Sequence, residues 1–463
     1  MVHKQRHHKA KMLGLLAFFL GATSTQSFAQ DWRFLGLGNE RIEVITVDWS
    51  NPDVIYAGSG SDFSAGAVGG IFKSSDRGAA WDTLLQGVTV LDIDIHPKDA
   101  NIIYATLGAH TLTFPGIAKS LDGGKTWFGS SSGIRVSSEE GPLELVIDPL
   151  HPDTLYTGTA GFFGGDPYKS TDGGVSWFRI DPDTNWVWSS DSILTDPLED
   201  GITSIAMDPI DTEHLYFGTA DTGFLLETID GGKTWNTTGL AEKGIILDIE
   251  FDPFQTGHIY AGTSDYGILH SIDSGHSWSN INQNITGDHI KVPKVQFYPH
   301  DETLDVYIIA NWENGTGIYF FDHNEQWRKI GIDDRPVQTI TIFDHDIYAG
   351  RSGENLAGVY TLDLVTSVKE SKSSVTKYLI LNVSPNPAYA TITIAYQLLQ
   401  TTPVRIEIFD ILGRRRELLL QSQQARGEHQ QKANISSLPS GVYFLRMTTI
   451  GKAVMSKKII ILK

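Results

Sequence analysis

Residues 120–127 read SLDGGKTW. The octet returns as SSDRGAAW at 74–81, STDGGVSW at 170–177, TIDGGKTW at 228–235 and SIDSGHSW at 271–278. Copies spread along a chain cannot all be one active site, so each octet is read by its local chemistry. Its glycines permit positive φ in a tight turn. Its aspartates (Asp76, Asp122, Asp172, Asp230 and Asp273) can accept hydrogen bonds from the turn's own N–H groups. Its tryptophans (Trp81, Trp127, Trp177, Trp235 and Trp278) offer large apolar faces to bury between neighbouring units. The octet therefore reads as scaffold.

Each octet closes a longer unit. An alternating apolar strand, a turn and a second strand ending in Tyr precede it, as in ITVDWSNPDVIY, LDIDIHPKDANIIY and LDIEFDPFQTGHIY. A sixth unit, VQFYPHDETLDVY, leads to GIYFFDHNEQW, and a seventh, ITIFDHDIY, stops after GVYTLDL. The unit tryptophans fall at 81, 127, 177, 235, 278 and 327. A period of about 40–50 residues with four short strands per unit marks a β-propeller blade. The seventh unit lacks an outer strand, and Asp31–Leu35 (DWRFL) resembles one. Pairing it with the last blade would close the ring and remove an open edge. The expected fold is all-β: a seven-bladed β-propeller over 30–365, a polar linker at 366–378, and a small Ig-like β-sandwich from 379 to 463.

The ends carry delivery signals. Residues 1–29 read as a signal peptide, with a basic start, an apolar run over Met12–Ala22 and small residues before Gln30. No other segment is long and apolar enough to cross a membrane. With no cysteine in 463 residues, disulfides and thiolate chemistry are excluded. The net charge is −19, yet residues 371–463 hold 13 Lys/Arg against 4 Asp/Glu. The body is therefore strongly acidic and unsuited to nucleic acid.

The octets match the Asp-box, or BNR repeat. They resemble the repeats of sialidases, sortilin-type receptors, xyloglucan-active endoglucanases and a photosystem II assembly factor. The resemblance implies the propeller and leaves the activity open. Sialidases carry an Arg-Ile-Pro motif, whereas here Arg41-Ile42 precedes Glu43. The propeller endoglucanases have an aspartate in the first blade's B–C loop, near Asp62, but usually two propellers, where this chain has one.

With strands lettered A to D from the centre outwards, the octets are C–D turns. B–C loops and D–A connections then share the opposite face. That face gathers Asp62, Asp166, Asp221, Asp265, Tyr266, Trp312 and Glu313, together with Trp186 and Trp188 in the longest D–A connection. Aromatic rings beside acids suit sugar recognition, and two acids at the right spacing could hydrolyse a glycosidic bond. Asp62 is the catalytic candidate; the others are ligand-binding candidates. No EF-hand, HExxH, P-loop or nucleophile elbow occurs, so neither a metal nor a cofactor is expected. Asp92 and Asp94 alternate on one strand without such a loop.

The tail has its own motifs: Pro385-Asn386-Pro387, Ile408–Arg414 (IFDILGR) with Gly413, Leu438–Tyr443 (LPSGVY) with Gly441, and a Lys-rich terminal strand. These resemble the type A C-terminal sorting domain of the type IX secretion system of Bacteroidota. The resemblance implies export through that machinery, with residues 379–463 as its handle. The expected protein is a secreted or cell-surface propeller that binds an extracellular glycan or protein. The alternative is a glycoside hydrolase using acids on the loop face.

Overall fold

The computed structural model describes residues 32–463 except 61–68, 109–115, 138–139, 162–163, 181–200, 210, 221–222, 239, 241–243, 253–254, 256, 286, 301–302, 314, 322–325, 333–335, 344–345, 354–356, 365–380, 385–387, 399–401, 411–414 and 450–451. Every named element in it is a strand.

Seven four-stranded antiparallel sheets follow one another along the chain. Blade 1 is Ile42–Val47, Ile55–Ser59, Gly69–Ser74 and Asp82–Val88, and five further blades repeat this order up to Lys329. Blade 7 takes its A to C strands from Val337–Phe343, Asp346–Arg351 and Gly358–Asp363. Its D strand is Arg33–Gly36, with Arg33 opposite Thr361 and Phe34 opposite Tyr360. The start of the described chain thus completes the last blade. Each A strand lies against the A strand of the next blade, and the seventh returns to the first.

The B strands are apolar on both faces because each is sandwiched between blades; Ile55–Ser59 and Ile259–Thr263 are buried throughout. A glycine in this strand makes room for the neighbour. A Cβ on Gly158 would stand 2.2 Å from Ile202 Cγ2, and one on Gly350 2.7 Å from Ile42 Cγ2.

Two sets of polar contacts join blades near the rim. The indole N–H of Trp81 donates to Leu35 O, that of Trp177 to Ser130 O and that of Trp235 to Ile180 O, each on the preceding blade. Trp32 does the same to Ile330 O, so the N-terminal strand supplies the missing tryptophan of blade 7. From the other side, the B-strand Tyr and C-strand Lys of one blade reach the octet of the next. Tyr56 OH and Lys73 Nζ both donate to Gly123 O, and Tyr104 OH and Lys119 Nζ to Gly173 O. The ammonium groups also lie over the tyrosine rings, 5.0 Å from that of Tyr56 and 4.9 Å from that of Tyr104.

Within the octet, Asp122 Oδ1 accepts from Thr126 N at 2.8 Å and Oδ2 from the Thr126 hydroxyl at 2.7 Å. Asp172, Asp230 and Asp273 repeat the pattern, and Asp76 accepts from Ala80 N. These bonds hold the Asp122 carboxyl down at about 2.

The C-terminal region forms two packed sheets. One orders Leu381–Ser384, Thr391–Leu398 and Gly427–Asn434. The other orders Arg415–Gln424, Thr402–Asp410, Gly441–Thr449 and Lys452–Ile461. Ile392, Ile394, Ile406, Ile408, Leu445 and Ile459 fill the space between them. Gly441 opens its strand opposite Ile461; Pro387 and Gly413 lie outside the described residues. The Arg415–Gln424 and Gly427–Asn434 strands are largely polar and were not legible as strands.

Candidate functional site

The A strands start, and the B and C strands meet, on the face opposite the octets. Four of the sequence candidates converge there between blades 5 and 6. Asp265 and Tyr266 end the B–C turn of blade 5. Trp312 and Glu313 form the B–C hairpin of blade 6, whose strands run on until Trp312 pairs with Gly315. Trp312 is thus a strand residue. It is half-buried, lies over Gly287 and Gly315, and has the Lys329 ammonium 5.4 Å from its ring. Tyr266 is exposed.

His289, on the D–A connection, joins these loops. Its Nδ1 stands 2.6 Å from Asp265 Oδ1, and its side chain is 80 % exposed. The hydrogen bond to Asp265, then the charges of Asp265, Asp288 and Glu313, raise its pKa above the ordinary histidine value. Its backbone is left-handed, with φ 54°. Sequence reading missed His289, because a lone histidine in a connection carries no spacing signal.

Blade 3 carries a second polar row on this face. Asp166 pairs with Arg179 at 2.9 Å and Glu140 with Arg135 at 3.2 Å, while Tyr168 OH accepts from Arg135 N. Glu140 is buried, which raises its pKa despite Arg135. Asp62, Trp186, Trp188 and Asp221 lie outside the described residues.

The third cluster lies along the A strands. Each A strand carries one bulge at an equivalent place, before Val44, Asp92, Glu144, Ser204, Asp248, Lys294 and Thr339. Where that residue is acidic it reaches the next blade. Asp92 accepts from Leu145 N at 3.0 Å, Glu144 from Ile205 N at 2.7 Å and Asp248 from Val295 N at 2.6 Å. Lys294 donates to Asp248 at 2.7 Å and stands 3.9 Å from Glu144. Asp94 and Glu250 lie two residues further along their strands. Burial, the largest cause in every case, raises all five carboxyls: Asp94 well above the usual range, Glu144 and Glu250 to about 8, and Asp92 and Asp248 in the same direction. Burial opposes the charge on Lys294, but Asp248, Glu144 and Glu250 outweigh it and its pKa rises. Glu144 and Lys294 keep about a quarter of their side chains exposed (26 % and 24 %), so this cluster borders solvent. These groups tie blades together across the centre. The Asp92/Asp94 alternation was visible in the sequence; the register that brings Glu144, Asp248 and Lys294 beside it was not. Among the described residues, no three His, Cys, Asp or Glu side chains could hold a metal ion.

Known proteins share both parts of this architecture. Residues 382–462 match the family described as secretion system C-terminal sorting domain. The xyloglucanase Xgh74A of Acetivibrio thermocellus is 26 % identical over 271 residues, covering 51 % of this chain and 31 % of the relative. A xyloglucanase of Hypocrea jecorina is 23 % identical over 261 residues, covering 49 % and 30 %. The matched chain thus spans under a third of these relatives' length. The solved structure of YCF48 from Cyanidioschyzon merolae superposes with TM-score 0.50 at 14 % identity, over 73 % of this chain and 99 % of that one. The chain is therefore a β-propeller with a secretion-system sorting domain. More particularly, it is a secreted, cell-surface protein handled through that domain by the type IX machinery. Among the described residues, no helix is long and apolar enough to cross a membrane.

Proposed function

We propose that the propeller binds an extracellular glycan on its loop face, at the patch formed by Asp265, Tyr266, His289, Trp312 and Glu313. The observation that carries this reading is their convergence from two blades and three connections. An exposed tyrosine ring can stack on a sugar, while the flanking carboxylates and imidazole can satisfy its hydroxyls. The xyloglucanase relatives act on a polysaccharide, which supports a glycan as the ligand class.

Hydrolysis is the second reading, and the same relatives favour it. A glycosidase needs one protonated and one ionised carboxyl across the scissile bond. Burial raises the pKa of Glu140, beside Asp166, in the direction a general acid requires. Yet Glu140, Asp166 and Asp265 are each engaged by Arg135, Arg179 and His289, an arrangement that favours binding over proton transfer. Affinity electrophoresis of the full chain through gels containing xyloglucan, cellulose derivatives or mannans tests the reading. Retardation that Tyr266→Ala abolishes supports it; migration unaffected by every polysaccharide overturns it.

A further inference from the structure

Resting on that reading, we infer that His289 is itself a ligand-contacting residue, and that its doubly protonated imidazole is the form that binds, offering an N–H to a ligand oxygen.

The geometry carries this. An ionised carboxylate only accepts, so the 2.6 Å contact with Asp265 Oδ1 places a proton on Nδ1. That contact fixes the ring's orientation and leaves Nε2 with no hydrogen-bond partner among the described residues. The ring belongs to one of the few described non-glycine residues in left-handed backbone, a conformation uncommon outside glycine that Asn, Asp and His adopt more readily than other side chains. Such backbone persists where its surroundings fix it and is frequent at binding sites.

The charged groups acting on the ring come from each element around it: Asp265 from the B–C turn of blade 5, Asp288 from its own connection and Glu313 from the blade 6 hairpin. All three are acidic. Protonated His289 is the cation among these three carboxylates, and it adds a charged donor to a patch whose other donors are the Tyr266 hydroxyl, the Trp312 indole and the Lys329 ammonium over that ring. A ligand ring or glycosidic oxygen can only accept, so it can take this N–H. As pH rises through the raised pKa, Nε2 becomes an acceptor and the patch gains net negative charge.

The test is calorimetric titration of the full chain with xyloglucan oligosaccharide at pH 5.5, 7 and 9. Wild type should bind about tenfold more weakly at pH 9 than at pH 5.5, the loss expected for one charge-assisted hydrogen bond. His289→Gln, whose amide does not titrate, should bind with the same affinity at all three pH values. His289→Gly, which relieves the left-handed backbone, should lose binding equally, separating a contact role from a loop-shaping one. Asp265→Asn should move the fall in affinity to lower pH. Wild-type affinity that is constant with pH, or a His289→Gln protein with an unchanged profile, overturns the inference while leaving the binding site intact. No binding at any pH overturns both.

Discussion

The Lys294 ammonium lies 2.7 Å from the Asp248 carboxylate, and that carboxylate also accepts from Val295 N on the next blade. One acid thus holds both a side chain and the backbone of its neighbour. Lys294→Met would leave Asp248 and Glu144 without their cation. Breaking a buried pair in this way costs about 3 kcal/mol. Glu144 and Glu250 have folded pKa values raised to about 8, above their unfolded values near 4.5. Their contribution is therefore full below about pH 4.5 and lost as pH rises through about 8. Without Lys294 that decline should deepen. Thermal unfolding at pH 5 and pH 8.5 measures it; an equal loss at both would contradict the account.

Blades 4 and 5 replace the C-strand lysine with Glu227 and His270, and their histidines should titrate oppositely. Burial disfavours the charge on His214, but hydrogen bonds to Asp208 and Glu227 outweigh it and lift the pKa to about 9. Its stabilisation is full below pH 6.5 and lost as pH rises through 9. His270 is pushed down to about 4, first by burial and then by His258. Its contribution is lost as pH falls from 6.5 towards 4. His214→Gln should flatten the alkaline limb of a stability–pH curve and His270→Gln the acid limb.

His96 stands where other blades place a turn aspartate. Asp48 accepts from Ser50 N and Asp148 from Leu150 N; His96 Nδ1 instead accepts from Lys98 N and Asp99 N at 3.2 and 3.1 Å. Protonating Nδ1 would abolish both bonds. His96→Asp should stabilise the protein by about 0.5–1 kcal/mol at pH 7. Chemical denaturation reads the gain; a loss would show that the imidazole packs better than a carboxylate.

The first glycine position of the octet is left-handed in every described copy, with φ 72° at Gly123 and 69° at Gly173. Ser274 takes it at 55° without glycine's freedom. Ser274→Gly should stabilise blade 5 by roughly 1 kcal/mol, the cost of that conformation for an L-residue. An unchanged midpoint would mean that the Ser274 side chain offsets the strain.

The blade count, the octet turns and the closing strand were legible because each rests on local sequence: turn glycines, period-two strands and a tryptophan every 43–58 residues. The loop face was legible only as an inventory. Asp265, Tyr266, Trp312 and Glu313 stood out as residue types, but their convergence depends on blade-to-blade packing. Trp312 read as a loop aromatic because the turn residues Asn311 and Asn314 flank it, whereas its strand runs on until Trp312 pairs with Gly315. The link between Asp92 and Leu145 is a product of register between strands 53 residues apart, and the His289–Asp265 contact joins a connection to a turn 24 residues earlier; no local pattern encodes either.

The central claim is that the loop face binds a glycan without cleaving it. The most direct measurement incubates the full chain and Tyr266→Ala with a polysaccharide panel and reads binding and reducing ends in the same samples. The account predicts wild-type binding, its loss in a folded Tyr266→Ala protein, and no reducing ends from either. Release of reducing ends, abolished by Glu140→Gln or Asp62→Ala, would contradict it and make the protein a hydrolase.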